Sequence, residues 1–286
     1  MHVLRSGWRR PAAARTPPAT MAIFKHWLGG VRLSIDLPDA FLGTQPVPPR
    51  DMPDTETLPA FAELELKWAP TAAGSVTRCD LSEVGPRRFV AQVEADTPRA
   101  ATSAAHDALC VRMGALTLHA SVSVLGAGAV AFVGPSGAGK STASRLLDTP
   151  VIARDRAVVV LGGAPVLPAA ESSTTPPPEG QAWVYSLWPR EPFEAYSEPA
   201  TFRSAPLVGV LRVRQGQGQP ALRRLEPAAG VFTLLENASG KGPDGLAQDA
   251  LLEVLARLTE HVFVGEVETV LGHSLAELLA PLAVKC

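Results

Sequence analysis

Residues 134–142 read GPSGAGKST, and the spacing of Gly134, Gly139, Lys140 and Ser141 satisfies G-x-x-x-x-G-K-[ST], a pattern suited to holding phosphate groups. Pro135, Ser136, Gly137 and Ala138 fill the interval and Thr142 follows, so all nine residues are candidate nucleotide contacts. Glycines let successive backbone N–H groups turn toward phosphate oxygens, and a helix starting at the lysine adds the positive end of its dipole. The loop is therefore expected to cradle an anion. Lys140 would reach the outer phosphates as a mobile point charge, while the Ser141 hydroxyl would meet Mg²⁺. A chain of this composition carries the pattern by accident in roughly 0.4% of cases, so a nucleotide such as ATP is the expected ligand.

A phosphate loop leaves the reaction open, and the next requirement is an acid. Asp155 closes the segment VIARD, downstream of Lys140 by the length of a short helix and a strand, which returns the chain to the side of the loop. A carboxylate there can hold magnesium, directly or through water, or take the proton from an attacking hydroxyl. The competing reading is a surface turn acid paired with Arg154 or Arg156. His119 lies in LHAS, upstream of the loop. A lone histidine in such a place is ordinarily a packing or surface residue. His106, His261 and His273 show no metal-ligand spacing with it, and Cys79, Cys110 and Cys286 lie far apart without a CxxC pair, so no zinc site is expected.

These residues need elements to position them. AVAFV supplies a buried strand before the loop, STASRLL a helix after it, and VIARD and RAVVVL two further strands. Upstream, residues 101–113 suit a helix that Gly114 ends, and ALTLHASVSV follows as a strand. VRLSIDL, AELELKW and RRFVAQVEA alternate apolar and polar positions as half-buried strands do. Downstream, AWVYSLW reads as a strand, and PLVGVLRVR with PALRRLEP reads as a hairpin around Gly216 and Gly218. Leu246, Ala250, Leu251, Val254, Leu255 and Leu258 repeat at helical spacing, with Asp244 as the expected N-cap. HVFVGEVE is a last strand, and Ser274 and Glu277 stand at capping-box spacing before a final helix. The proline-rich runs Gln45–Pro59 and 164–180 are expected to be loops.

The expected fold class is α/β. Residues 1–20 read as a disordered extension or a misplaced start, 21–100 as a small β-rich N-terminal section, and 101–286 as the domain that carries the loop. Hydrophobic residues make up 46% of the 286, enough for a packed core. The net charge is −2, but the first twenty residues hold four arginines and no acid, so the remainder carries −6. An acidic body argues against nucleic-acid binding, which needs clustered positive charge. No apolar run is long enough to cross a bilayer, so no membrane contact is expected. The widely spaced cysteines suit reduced thiols, and the expected location is the cytoplasm.

LHASVSVLGAGAVAFVGPSGAGKST followed by VIARDRAVVV resembles the catalytic domain of the HPr kinase/phosphorylase family and its smaller HPr kinase-like relatives. The likeness is clearest over about residues 115–160 and weaker through PLVGV and RRLEPAAGVFTLLENA. The resemblance implies a phosphate-loop (P-loop) core of the HPr kinase / phosphoenolpyruvate carboxykinase type and an ATP-dependent serine kinase acting on a protein or peptide phosphoacceptor. It implies His119 and Lys140 as active-site residues, Ser141 as a magnesium ligand and Asp155 as the proton acceptor. It also raises assembly into a homo-oligomer. The chain departs from the family at two points. Arg154 stands where the family often has a first aspartate, and E-[IV]-R-G-x-G, the signature of the bifunctional enzymes, has no match. The expectation is thus a kinase without phosphorylase activity. The alternative is an ATP-binding regulatory or assembly protein that transfers no phosphate. A transport ATPase and a translational GTPase are disfavoured, because neither an LSGGQ-like segment nor NKxD is present.

Overall fold

The structure is a computed structural model and describes residues 21–28, 31–38, 62–75, 77–162, 180–186, 204–239 and 245–283. The expectations for residues 1–20, Gln45–Pro59, residues 164–179, Asp244 as a cap and Cys286 lie outside the described residues.

Alternation of apolar and polar side chains builds the first sheet. It contains β1 (Met21–Leu28), β2 (Val31–Pro38), β3 (Ala62–Pro70), β4 (Arg78–Gly85) and β5 (Arg88–Ala95), in the order β1-β2-β3-β5-β4. β3 lies parallel to both β2 and β5. Along β3, Ala62, Leu64 and Leu66 are buried while Glu63, Glu65 and Lys67 face solvent, the period of two that a one-sided strand requires.

Helix α1 (Pro98–Arg112) covers the buried face. Thr97 caps it by accepting the Ala100 N–H at 3.2 Å, and Pro98 sits in the first turn, where its missing donor costs nothing. Residue 100 lies in that same turn. Ala101, Ala105 and Leu109 are fully buried, and the small side chains let the helix approach the sheet closely. The same core cluster takes in Ala115, Val158, Val160 and Tyr185 of the second sheet, so α1 is packed between the two sheets.

The second sheet comprises β6 (Ala115–Leu125), β7 (Gly128–Val133), β8 (Val151–Ala153), β9 (Arg156–Leu161), β10 (Ala182–Ser186), β11 (Ser204–Gln215), β12 (Ala221–Arg224) and β13 (Phe263–Thr269). Its order is β10-β9-β6-β7-β11-β13-β12, with β8 paired to β6. β11 runs parallel to β7 and to β13, and every residue of β7 is buried, as expected for a strand covered on both faces. One face packs against α2 (Lys140–Leu147) and α5 (Ala276–Ala283) through Ala143, Leu147, Leu279 and Leu282. The other packs against α3 (Pro227–Asn237) and α4 (Gly245–His261) through Leu234, Leu251, Leu255 and Leu258. The architecture is mixed α/β. No helix among the described residues is long and apolar enough to cross a membrane.

The expected hairpin does not form. β11 and β12 are not neighbours, because β13 lies between them, parallel to the first and antiparallel to the second. Gly216 donates its N–H to Thr269 O at 2.9 Å, which ties the turn to the end of β13 rather than folding it back on β11. Sequence-adjacent strands are often but not always sheet neighbours, and apolar alternation carries no information about which strand pairs with which. At the last helix, Ser274 Oγ accepts the N–H of Ala276 at 3.2 Å, so the serine serves the helix start.

Candidate active site

The nine-residue motif spans the end of β7 and the start of α2. Gly134, Gly137 and Gly139 have φ of 145°, 80° and 100°, a region side chains disfavour, so the loop path depends on glycine at all three. A Cβ on Gly134 would also approach the Ala138 Cβ to 3.1 Å. Ala138 donates to Pro135 O at 3.2 Å, closing the turn around the exposed Ser136. Lys140 is largely buried, and its Nζ donates to Gly134 O at 2.9 Å and to Pro135 O at 3.2 Å, which holds the ammonium inside the loop. Burial lowers the Lys140 pKa, and the nearby Asp155 carboxylate opposes that shift. Ser141 presents an exposed side chain one position on, and the Thr142 hydroxyl accepts from Arg145 at 3.4 Å.

His119 occupies an exposed position in a strand that is otherwise almost wholly buried. β8 and β9 both pair with β6, and Arg154–Asp155 interrupts them as a two-residue break whose Asp155 carbonyl accepts the Ala120 N–H at 2.9 Å. The break sets Asp155 Oδ1 3.2 Å from His119 Nε2. Burial and the Lys140 charge lower the His119 pKa, with Asp155 pulling the other way. The balance favours the neutral imidazole. His119, Lys140 and Asp155, drawn from a strand, a helix start and a strand break, form one constellation.

Ser121 and Ser144 fix the registry of that constellation. Both are buried and their hydroxyls lie 2.6 Å apart. His119 precedes Ser121 by two strand positions, roughly 6.6 Å, and Lys140 precedes Ser144 by four helix positions, about 6 Å. The Lys140 charge is near enough to His119 to act on its imidazole. Ser144→Ala leaves the Ser121 hydroxyl buried without its partner and is expected to cost about 1–3 kcal/mol. The Ser121→Ala/Ser144→Ala double variant is expected to lose less than the sum of the singles, as a double-mutant cycle of urea unfolding would reveal.

Other supports escape the motif. Asn237, at the end of α3, accepts the Gly134 N–H at 2.9 Å through Oδ1 and donates from Nδ2 to Thr233 O at 2.8 Å. Gln215 Nε2 donates to Gly137 O at 3.1 Å. Neither residue stood out in the sequence, because a single amide side chain far from the loop carries no local signal.

No protein-family model matches this chain, and no curated protein matches it. The site is read from its own residues.

Behind the constellation, Arg156 reaches from the start of β9 to α1. It donates to both carboxylate oxygens of the buried Asp107 at 3.1 Å and to Ser103 Oγ at 3.3 Å. His106 Nδ1 lies 3.5 Å from the same carboxylate, and Cys110 Sγ is 3.6 Å from His106 Nε2. Burial by itself depresses the His106 pKa, but the electrostatic pull of Cys110 and the contacts to Asp107 outweigh it and push the group up to about 10. A pKa raised on folding stabilises the protein fully below the ordinary value near 6.5, and that contribution is lost as pH rises through about 10. The urea midpoint is accordingly expected to fall between pH 7 and 10, and His106→Asn to flatten that decline.

The residues suit a magnesium nucleotide. A positive-φ glycine loop holds a cation among its carbonyls, and the Ser141 hydroxyl and the Asp155 carboxylate stand near that cation. Among the described residues no group of three or more His, Cys, Asp or Glu could hold a metal ion. Magnesium beside a nucleotide needs only one or two protein ligands, because phosphate oxygens and water supply the others.

Proposed function

We propose that the chain is an ATP-dependent serine kinase, with a P-loop core of the HPr kinase / phosphoenolpyruvate carboxykinase type, that phosphorylates a Ser hydroxyl of a protein or peptide. The observation that carries this reading is the convergence of His119, Lys140 and Asp155, with Asp155 Oδ1 3.2 Å from His119 Nε2 at the side of the glycine loop. The amides of Ser136, Gly137 and Gly139 and the Lys140 ammonium would hold the triphosphate, and Ser141 would hold Mg²⁺ directly with Asp155 reaching it through water. Bound there, the ion neutralises charge on the phosphates.

In the reaction the acceptor oxygen attacks the γ-phosphorus while its proton passes to the Asp155 carboxylate. The bond from the γ-phosphorus to the bridging oxygen breaks and ADP leaves. Lys140 and the loop amides stabilise the charge on the transferring group, fixed in place before the reaction begins. The neutral His119 orients the carboxylate without pairing its charge, leaving that charge for the incoming proton.

Purified chain, magnesium and γ-labelled ATP, mixed with lysate as acceptor source, are expected to label a protein or peptide on serine. Absence of nucleotide binding by the folded chain would refute the reading. Arg154, in place of a second acid, favours one alternative: an ATP-binding regulatory protein without transfer. Tight nucleotide binding with no labelled acceptor would select it.

A further inference from the structure

A cleft of about 340 Å³ opens beside this constellation, within the size range of ligand sites. One wall is a stripe of α2, namely Ser141, Ser144 and Arg145, with its C-cap Asp148, and the other is Thr149, Val151 and Arg154 around the β8 edge, with Ser121 also lining it. None of residues 134–140 lines it, so it meets the nucleotide-contacting residues only at Ser141. It nonetheless adjoins both halves of the chemistry, because Ser141 follows Lys140 and Arg154 precedes Asp155. Ser121 also lies on the same face of β6 as His119, one side-chain position farther along.

The lining is polar and its charge is uneven. Arg145 and Arg154 face one acid, Asp148, in a chain whose net charge is −2. Arg145 is in contact with Thr142, whereas Arg154 finds no hydrogen-bond or ion-pair partner among the described residues. A guanidinium next in sequence to the proposed base cannot serve as a metal ligand, but it can bind an anion bidentately. Asp148 sits at the C-terminal end of α2 with φ of 53°. Both its charge beside the helix C-terminus and its conformation disfavour an acid there relative to Gly or Asn.

Resting on the kinase reading, we propose that this cleft receives the acceptor chain beside its reacting serine and selects an acidic residue there, through Arg154 and Arg145. The volume suits a few side chains of an extended peptide. The selection is local and runs against the overall charge of the molecule, which repels acidic ligands at long range.

The test uses the full chain and acetylated seven-residue peptides whose central serine is flanked entirely by Glu, Gln or Lys. Peptide affinity is measured by fluorescence anisotropy, with and without a non-transferable magnesium ATP analogue. The Glu peptide is expected to bind at least tenfold tighter than the Lys peptide. Arg154→Glu and Arg145→Glu are expected to reverse that order while leaving analogue affinity within twofold. Arg257→Glu, a charge change on an exposed residue of α4, keeps the original order and so separates the cleft from net charge. Equal affinities, no binding of any peptide, or a preference that survives both reversals would overturn the proposal. Arg154→Gln and Arg145→Gln, expected to abolish the preference without reversing it, decide the matter if a Glu variant fails to fold. Loss of analogue binding alone refutes the nucleotide reading instead, and peptide binding by the nucleotide-free chain still scores the cleft.

Discussion

Asp155→Asn is expected to lower the rate of phosphoryl transfer by about 10²–10⁴-fold, the range a positioned general base contributes, with nucleotide affinity nearly unchanged. The amide preserves the shape of the carboxylate and its place 3.2 Å from His119, but it has no basicity with which to accept the serine proton. Lys140→Ala is expected to behave differently. It removes the cation held among the loop carbonyls, so both affinity for the nucleotide and transfer fall, the latter by roughly 10²–10³-fold. Nucleotide titration together with single-turnover transfer separates the two patterns. Full activity in both variants would refute the mechanism, and an Asp155→Asn variant that fails only to bind nucleotide would leave Asp155 its metal-holding role and remove its role as base.

Asp107→Ala is expected to destabilise the fold by about 3–5 kcal/mol, the cost of removing one partner from a buried ion pair. Asp107 is 5% exposed and accepts two hydrogen bonds from Arg156, so alanine leaves the buried imidazolium of His106 without its carboxylate and takes the main acceptor from the part-buried guanidinium. Such a loss is a large share of the stability of an ordinary domain. Replacing the cluster together, with Asp107→Leu, Arg156→Met and His106→Leu, is expected to cost far less, since it removes the desolvated charges as well as their attraction. Urea unfolding at pH 7 measures both. A loss below about 1 kcal/mol for Asp107→Ala would show that the carboxylate carries little of the contact between α1 and β9.

What could be read from the chain was local. The phosphate motif is nine contiguous residues, its flanking strand and helix follow from short-range patterning, and α1 was marked by Gly114 at its end. VIARDRAVVV marked Asp155 as the acid after a strand, although the break between β8 and β9 that aims it at His119 is a product of pairing with β6. Strand pairing is not encoded in such local pattern. The position of β13 between β11 and β12 depends on contacts across tens of residues, which alternation does not encode. β4 has only a weak sequence pattern, because as an edge strand it is partly buried, through Cys79 and Leu81. Pro227, Gly230 and Thr233 dilute the apolar spacing of α3, which hides both the helix and Asn237 at its end.

The hydrogen bond from the Gly134 N–H to Asn237 has a consequence for how the molecule can be divided. A fragment ending at Arg224 would retain every motif residue, His119 and Asp155, yet lose the amide that anchors the first glycine of the cradle. The signature is contiguous but its scaffolding is not, and excising the motif as a minimal module would cut the tether that shapes it.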